Sequence, residues 1–473
     1  MSNRNPSISR KDEQKRTMIL QGNLWKVLLY VGGPLAMFQS LNQIFKILDT
    51  MMAAHISPLS VSAVAYLSQI NLMLSAIGGG LAVGSSIKVS EAYGAGDYQM
   101  VHRRVSTLLL ICMGMGGCVM LLIPFTQPFL RLAGTPEAFI QEGARYFAVN
   151  LVDLVLIFLN TGYIAIERAR GNAGRILWLN LVSIGVKLGL TAWFVYGLQA
   201  GVTSIAVATV CSDLVLTVAC IWFLFVKGRG NVFGFELSAV RLNRQVTGPM
   251  LTVSLPVMAE KAAFQMGKVV VNAMATGYGD LTVGALGISN NLGGLTTNPQ
   301  NGLQEAGAAI ISQNRGADQL NRALGAFYRL AVICSVEGAL GWWLTIHFLT
   351  PLVGLFDGGD PAFAQMIGDV YRFEAAGLVP LGLFSAVMAL LYGFGYTKLT
   401  LLVNGARIFL FRIPVLWALQ RFTDLGSESV GIVMMVSNIS TGLLALVVGG
   451  WVIAQIKKQK KEEPYAYTRC TSA

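Results

Sequence analysis

The sequence predicts an all-α polytopic membrane protein of about twelve transmembrane helices, arranged as two parallel six-helix repeats around a central cleft. Three observations carry that expectation. Hydrophobic residues make up 54% of the 473 and charged ones only 12%, with mean hydropathy +0.59, too apolar for a soluble domain of this length. Apolar runs recur at the length of a bilayer-spanning helix, about 20 residues, between short polar or Gly/Pro/Asp loops. A shift of 222 residues superposes Lys46 on Lys268, Pro34 on Pro256, Gln43 on Gln265 and Met52 on Met274. The same register carries Gly80-Leu81 onto Gly302-Leu303 and Gly94-Ala95 onto Gly316-Ala317. The chain is therefore a duplicated unit, and both copies place a lysine inside an apolar helix.

Taken in order, the first copy reads as helices over Leu24–Met52, Leu59–Ser86, Val105–Leu130, Phe139–Ile166, Arg175–Tyr196 and Val202–Val226. The second reads as Val246–Thr276, Leu281–Ile311, Leu324–Leu349, Ala362–Gly393, Leu399–Leu419 and Ser429–Ile456. The expected organisation is a cytoplasmic segment 1–23, an N-lobe 24–227, a polar connector 228–246, a C-lobe 247–456 and a basic tail 457–473. The Gly-rich stretch Ser75–Ser86 suits close helix packing or a bend, with direct cargo contact as the other reading. Residues Met1–Gln21 lack the short apolar core of a secretory signal.

Charge sets the orientation. Arg4, Arg10, Lys11, Lys15, Arg16, Arg103, Arg104, Arg168, Arg170, Arg175, Arg241, Arg244, Arg315, Arg322 and Lys457–Lys461 fall on one side. The opposite loops offer little basic charge beyond Arg131 and Arg421. Positive charge collects on the side that is not translocated, so both termini are expected in the cytoplasm of a multi-pass inner (plasma) membrane protein. An even number of spans follows, and six per half leaves both copies in the same orientation. The net charge of +11 lies in loops and tails, so it orients the chain and does not indicate nucleic acid. Five of the six cysteines lie in spans and none has CxxC or Cys/His spacing, which supports neither a disulfide framework nor a metal site.

Several segments resemble one known family. Leu48-Asp49-Thr50 near the end of the first helix, the Gly-rich second helix running into Ala92-Tyr93-Gly94-Ala95-Gly96-Asp97, and Arg168-Ala169-Arg170-Gly171-Asn172 followed by Leu179-Asn180-Leu181 all carry the likeness. With Arg412-Ile413-Pro414 in the eleventh helix, they make the chain similar to the multidrug and toxic compound extrusion (MATE) family, over nearly its whole length. The resemblance implies two six-helix lobes, alternating access, and export driven by a proton or sodium gradient with no other cofactor. The wider superfamily includes flippases for lipid-linked sugars and peptidoglycan precursors. Two departures touch the coupling chemistry. Many members carry an aspartate shortly after the fifth-helix asparagine, where this chain has Leu-Val-Ser-Ile after Asn180. Another branch places a glutamate about two turns after the seventh-helix proline, whereas Glu260 follows Pro256 by one turn.

Ionisable groups inside spans face a cavity or a partner. The first copy holds Lys46, Asp49, Asp153, Lys187 and Asp213; the second holds Glu260, Lys261, Lys268, Glu337 and Arg407. Lys46 and Asp49 share a helix face and can pair, as a structural ion pair or in coupling. Lys268 has Val271 where Asp49 would fall, and Lys261 lies two turns earlier on its face. We therefore expect Lys46 and Lys268 to attract a negative substrate group across the cleft, with Gln43, Gln265, Glu260 and Lys261 beside them. Snorkelling, or pairing of Lys268 with Glu260 or Glu337, is the alternative. Asp49, Asp153, Asn180 and Asp213 are the candidates for a proton or cation site, and static charge compensation would use the same residues.

No GxxxxGK[ST] loop supports ATP drive, and no nucleophile–base pair or metal-ligand set supports an enzyme. The expectation is a monomeric ion-coupled antiporter for a small, anionic or zwitterionic organic cargo, with a flippase for an anionic lipid-linked precursor as the alternative.

Overall fold

A computed structural model describes residues 7–53, 58–132, 135, 137–198, 203–228, 230–356 and 360–462. The described residues are almost entirely helical, with one isolated bridge between Ser7 and Asn231. In chain order the helices are α1 (Arg10–Gln21), α2 (Leu24–Ala53), α3 (Pro58–Ala95), α4 (Tyr98–Leu122), α5 (Thr126–Leu132), α6 (Glu137–Ala169), α7 (Ala173–Ala192) and α8 (Thr203–Cys220). They continue as α9 (Thr247–Ala275), α10 (Asp280–Gly316), α11 (Leu320–His347), α12 (Leu349–Val353), α13 (Pro361–Ala375), α14 (Leu378–Phe394), α15 (Thr397–Phe409), α16 (Ile413–Phe422) and α17 (Glu428–Glu462).

Each of the twelve expected segments coincides with a helix or with two consecutive ones. Eight helices are long and apolar enough to cross a membrane, nine if the bent pair α13–α14 is one span, among the described residues. The differences have local causes. Pro124 sits in the tight turn Ile123–Phe125 that parts α4 from α5. The expected tenth helix bends by 47° between α13 and α14, and the eleventh breaks between α15 and α16 beside Pro414. Helix ends carry the expected chemistry. Asp97 caps α4 by accepting from the Met100 amide at 2.9 Å, and Gly171 makes the turn from α6 to α7 at φ 74°, a backbone state that disfavours any side chain.

α1 is the one helix the sequence reading left inside a polar segment. Its acidic side is anchored: Arg170 Nη2 donates to Asp12 Oδ2 at 2.8 Å, and Lys15 Nζ donates to Asn172 Oδ1 at 2.6 Å. Arg16 Nε donates to the Tyr93 carbonyl at 2.8 Å. Burial works against the Asp12 carboxylate, yet the hydrogen bonds and charge of Arg170, with Ser9 and Lys15, hold it below the usual carboxylate range.

The chain forms two compact units, Met1–Thr17 with Met37–Gln265, and Met18–Ala36 with Met266–Ala473. They differ from lobes divided at the connector by an exchange of leading half-helices: the first half of α2 belongs to the second unit and the first half of α9 to the first. Glycines explain the packing. A Cβ on Gly80 of α3 would come 2.5 Å from Met258 Cα of α9, within the first unit. A Cβ on Gly302 of α10 would come 2.8 Å from Ala36 Cα of α2, within the second. Gly80 and Gly302 are repeat counterparts, and so are Ala36 and Met258, so the 222-residue register is also a register of contacts. In the first unit the Ser75–Ser86 stretch thus serves close backbone approach, reinforced by Ser254 Oγ donating to the Leu81 carbonyl at 3.2 Å.

Candidate functional site

Each unit holds its own buried polar cluster. In the first, α6, α7 and α8 pack on one another, and Asp153 of α6 is 2% exposed. Its carboxyl feels that of Asp213 on α8 electrostatically, with the Lys187 ammonium of α7 as the neighbouring cation. Asp153 Oδ1 has no partner among the described residues. The backbone around the pair is fixed by side chains. Asn160 Nδ2 donates to the Asp213 carbonyl at 3.0 Å, Thr217 Oγ1 donates to Asn160 Oδ1 at 2.9 Å, and Ser183 Oγ donates to the Ser212 carbonyl at 2.6 Å. Asn180, one turn before Ser183, is also buried. Of the four coupling candidates the structure brings Asp153 and Asp213 into electrostatic reach of each other. The side chain of Asp49 lies outside the described residues, as does that of Lys46.

The second unit's cluster has the opposite balance. Glu374, near the end of α13, is 6% exposed and accepts a hydrogen bond from Ser289 Oγ of α10. Arg412, Arg407 and Lys268 act on its carboxyl electrostatically, in that order of strength. Both arginines are held from α17. Arg407 Nη2 donates to Asn438 Oδ1 at 2.8 Å, Arg412 Nε donates to Ser437 Oγ at 2.9 Å, and Arg412 Nη2 reaches Asn438 Oδ1 at 3.3 Å. With its oxygen serving two guanidinium groups, Asn438 leaves its own amide nitrogen without an acceptor among the described residues. Three cations thus act on the Glu374 carboxyl, beside a buried amide donor without an acceptor among the described residues.

Lys268 therefore acts on Glu374. Glu337 lies on α11, and Glu260 is buried on α9. Gln43 is buried on α2, while Gln265 and Lys261 are half-buried on α9. Lys261 lies against the Gly-rich stretch of α3, its Nζ 3.4 Å from where a Gly79 Cβ would stand. Glu374 and Arg412 were missed as site residues. Glu374 falls inside the expected tenth helix, just before the 47° bend between α13 and α14. Gly377 and Pro380, close behind it, were the available signal.

Comparison with known proteins agrees with this architecture. The chain matches the MatE family over residues 34–193 and 256–418, one segment in each repeat. It is 22% identical over 271 residues to a probable multidrug resistance protein, YoeA, of Bacillus subtilis, covering 56% of this chain and 58% of that protein. The chain thus spans little more than half the length of that relative. It is 22% identical over 409 residues to an FAD transporter of Shewanella oneidensis, covering 84% of this chain and 88% of the relative. An outward-facing multidrug resistance MATE family transporter superposes with a TM-score of 0.88 at 19% identity, covering 95% of this chain and 99% of that one. A Pyrococcus furiosus transporter of the same superfamily, described as having reversed binding-pocket polarity, also gives 0.88, at 20% identity and the same coverages of 95% and 99%. At such identities the structural likeness establishes the fold. With the family match spanning most of both repeats, the chain belongs to the MatE family, a family of polytopic membrane transporters and not of enzymes.

Proposed function

We propose that this protein is a proton-coupled antiporter that exports a small organic anion or zwitterion across the cell membrane by alternating access. The observation that carries the reading is the second unit's cluster, in which Lys268, Arg407 and Arg412 all act on the buried carboxyl of Glu374. Basic groups gathered in a membrane interior mark a site that attracts an anion, and a cargo carboxylate or phosphate has the matching charge. The Asp153–Asp213 pair supplies the coupling site, because two carboxyls that share a proton can gain or lose one as their surroundings open to either side. Proton binding favours one facing state and cargo the other, which yields exchange by population shift. Lys46 and Asp49 keep, within this proposal, the cargo-attracting and coupling roles that the sequence gives them. The chain acts as a monomer with both termini in the cytoplasm.

The Shewanella relative's cargo, a dinucleotide bearing a pyrophosphate, makes FAD a suitable first anionic probe. The test is uptake into inverted proteoliposomes under an imposed proton gradient, with FAD and a cationic dye offered in parallel and a sodium gradient as the third arm. The expected result is proton-driven movement of the anion in preference to the dye. Movement of the dye alone overturns the anionic assignment, and sodium drive without proton drive overturns the coupling ion.

A further inference from the structure

One buried carboxyl takes part in neither cluster. Glu337 lies on α11, seventeen residues from its start and ten from its end, which sets it about 15 Å inside the nearer end at roughly 1.5 Å per residue. It opens onto an apolar groove of about 580 Å³ in the second unit, walled by Trp25 and Leu29 of α2 and by Val332, Val336, Leu340 and Leu344 of α11. Those six side chains are all at least 42% exposed, so on a membrane-spanning helix they face the bilayer. Gln300 of α10 is tied by Nε2 to the Leu378 carbonyl at 3.2 Å. Glu337 Oε2 is buried and has no protein partner among the described residues.

The fold does not need this carboxyl. The 222-residue register takes the first residue of α4, Tyr98, onto the first of α11, Leu320, and so places Met115 opposite Glu337. An apolar side chain fills that position in the first unit. A carboxyl kept in hydrocarbon with an open acceptor has a function beyond packing.

The geometry points to a bilayer-facing binding site for an amphiphilic amine, with its nitrogen on Glu337 Oε2 and its hydrocarbon tail along the groove. An alkylammonium meets both halves of the site: its N–H donors fill the open acceptor and its charge opposes the carboxylate, while the chain covers the apolar wall. An acyl chain alone covers the wall and leaves Oε2 unmatched, and a fatty acid places like charges together. The site is separate from both polar clusters, and its test does not depend on the cargo proposed above.

The experiment is equilibrium binding in phosphatidylcholine nanodiscs, read as the motionally restricted fraction of a spin-labelled long-chain amine, with the matching spin-labelled alcohol and carboxylic acid as controls. The expected result is at least fivefold enrichment of the amine over the alcohol, lost in Glu337→Gln, which keeps the shape of the side chain. A second variant, Leu340→Trp, leaves Glu337 intact, fills the groove and is expected to lower amine binding as well. Equal binding of amine and alcohol by the unaltered protein overturns the proposal. So does full retention of amine binding in Glu337→Gln, or a native mass spectrum showing a second copy of the chain in place of the amine.

Discussion

The two compact units are built from repeated sequence, yet their buried charges are opposite in sign. The first brings two carboxyls, Asp153 and Asp213, into electrostatic reach of each other with one lysine nearby. The second brings two arginines and a lysine to one carboxyl. Duplication therefore preserved the packing, as the Gly80 and Gly302 contacts show, while the polar interiors diverged. Packing at a helix crossing tolerates little change, because a single methyl group meets backbone. A polar cluster can change sign whenever its partners change with it.

The largest expected effect is at the basic cluster. Arg412→Met should cost about 3–5 kcal/mol of stability, the range for stripping a partner from a buried charge, and should cut anion transport at least tenfold. Thermal unfolding in detergent and proteoliposome uptake check the two parts, and wild-type anion transport in a folded Arg412→Met protein would remove the cluster from the cargo path. Gly80→Val and Gly302→Val each drive side-chain atoms into a neighbouring helix backbone, at about 3 kcal/mol by the usual range for overpacked cores. Similar losses in chemical denaturation would establish that the repeat is equivalent in packing energy; a loss at one site only would break the comparison.

Asp213→Asn is expected to leave FAD binding within about twofold while reducing proton-driven uptake about tenfold, or about 1.4 kcal/mol at the coupling step. Binding by scintillation proximity and uptake under a gradient separate the two, and an intact gradient response would return the carboxyl pair to a structural role. The smallest effect concerns α1. The folded Asp12 carboxyl titrates below its ordinary value of 3.8, so its contribution is fully present above that pH and is lost as pH falls through the lower, folded value. Asp12→Asn should therefore loosen α1 by about 1.5 kcal/mol at neutral pH, the low end of the range for a hydrogen bond to a charged group, and remove its acid sensitivity. Hydrogen exchange of the α1 amides reads both.

The fold was legible because its signals are additive. Span-length apolar runs and a register shared by Pro34 and Pro256, Gly80 and Gly302 do not depend on any single residue. The clusters were legible only in part. Asp153 and Asp213 stand out as carboxyls in apolar runs, and Lys268 stands out by its repeat position. Glu374 does not, because Asp369 and Arg372 stand close to it in the chain, while Arg407 and Arg412, which act on it, lie more than thirty positions further on. α1 was hidden for a different reason: its stability comes from Arg170 and Asn172, more than 150 positions away, and a window along the chain cannot register partners at that distance.

The exchange of leading half-helices constrains how such a protein could have arisen. A gene cut at the connector would yield two polypeptides, each lacking a stretch that completes its own compact unit and carrying the stretch that completes the other. Neither product would hold all of its own compact unit, so two separately made halves would have to exchange their leading half-helices to restore both.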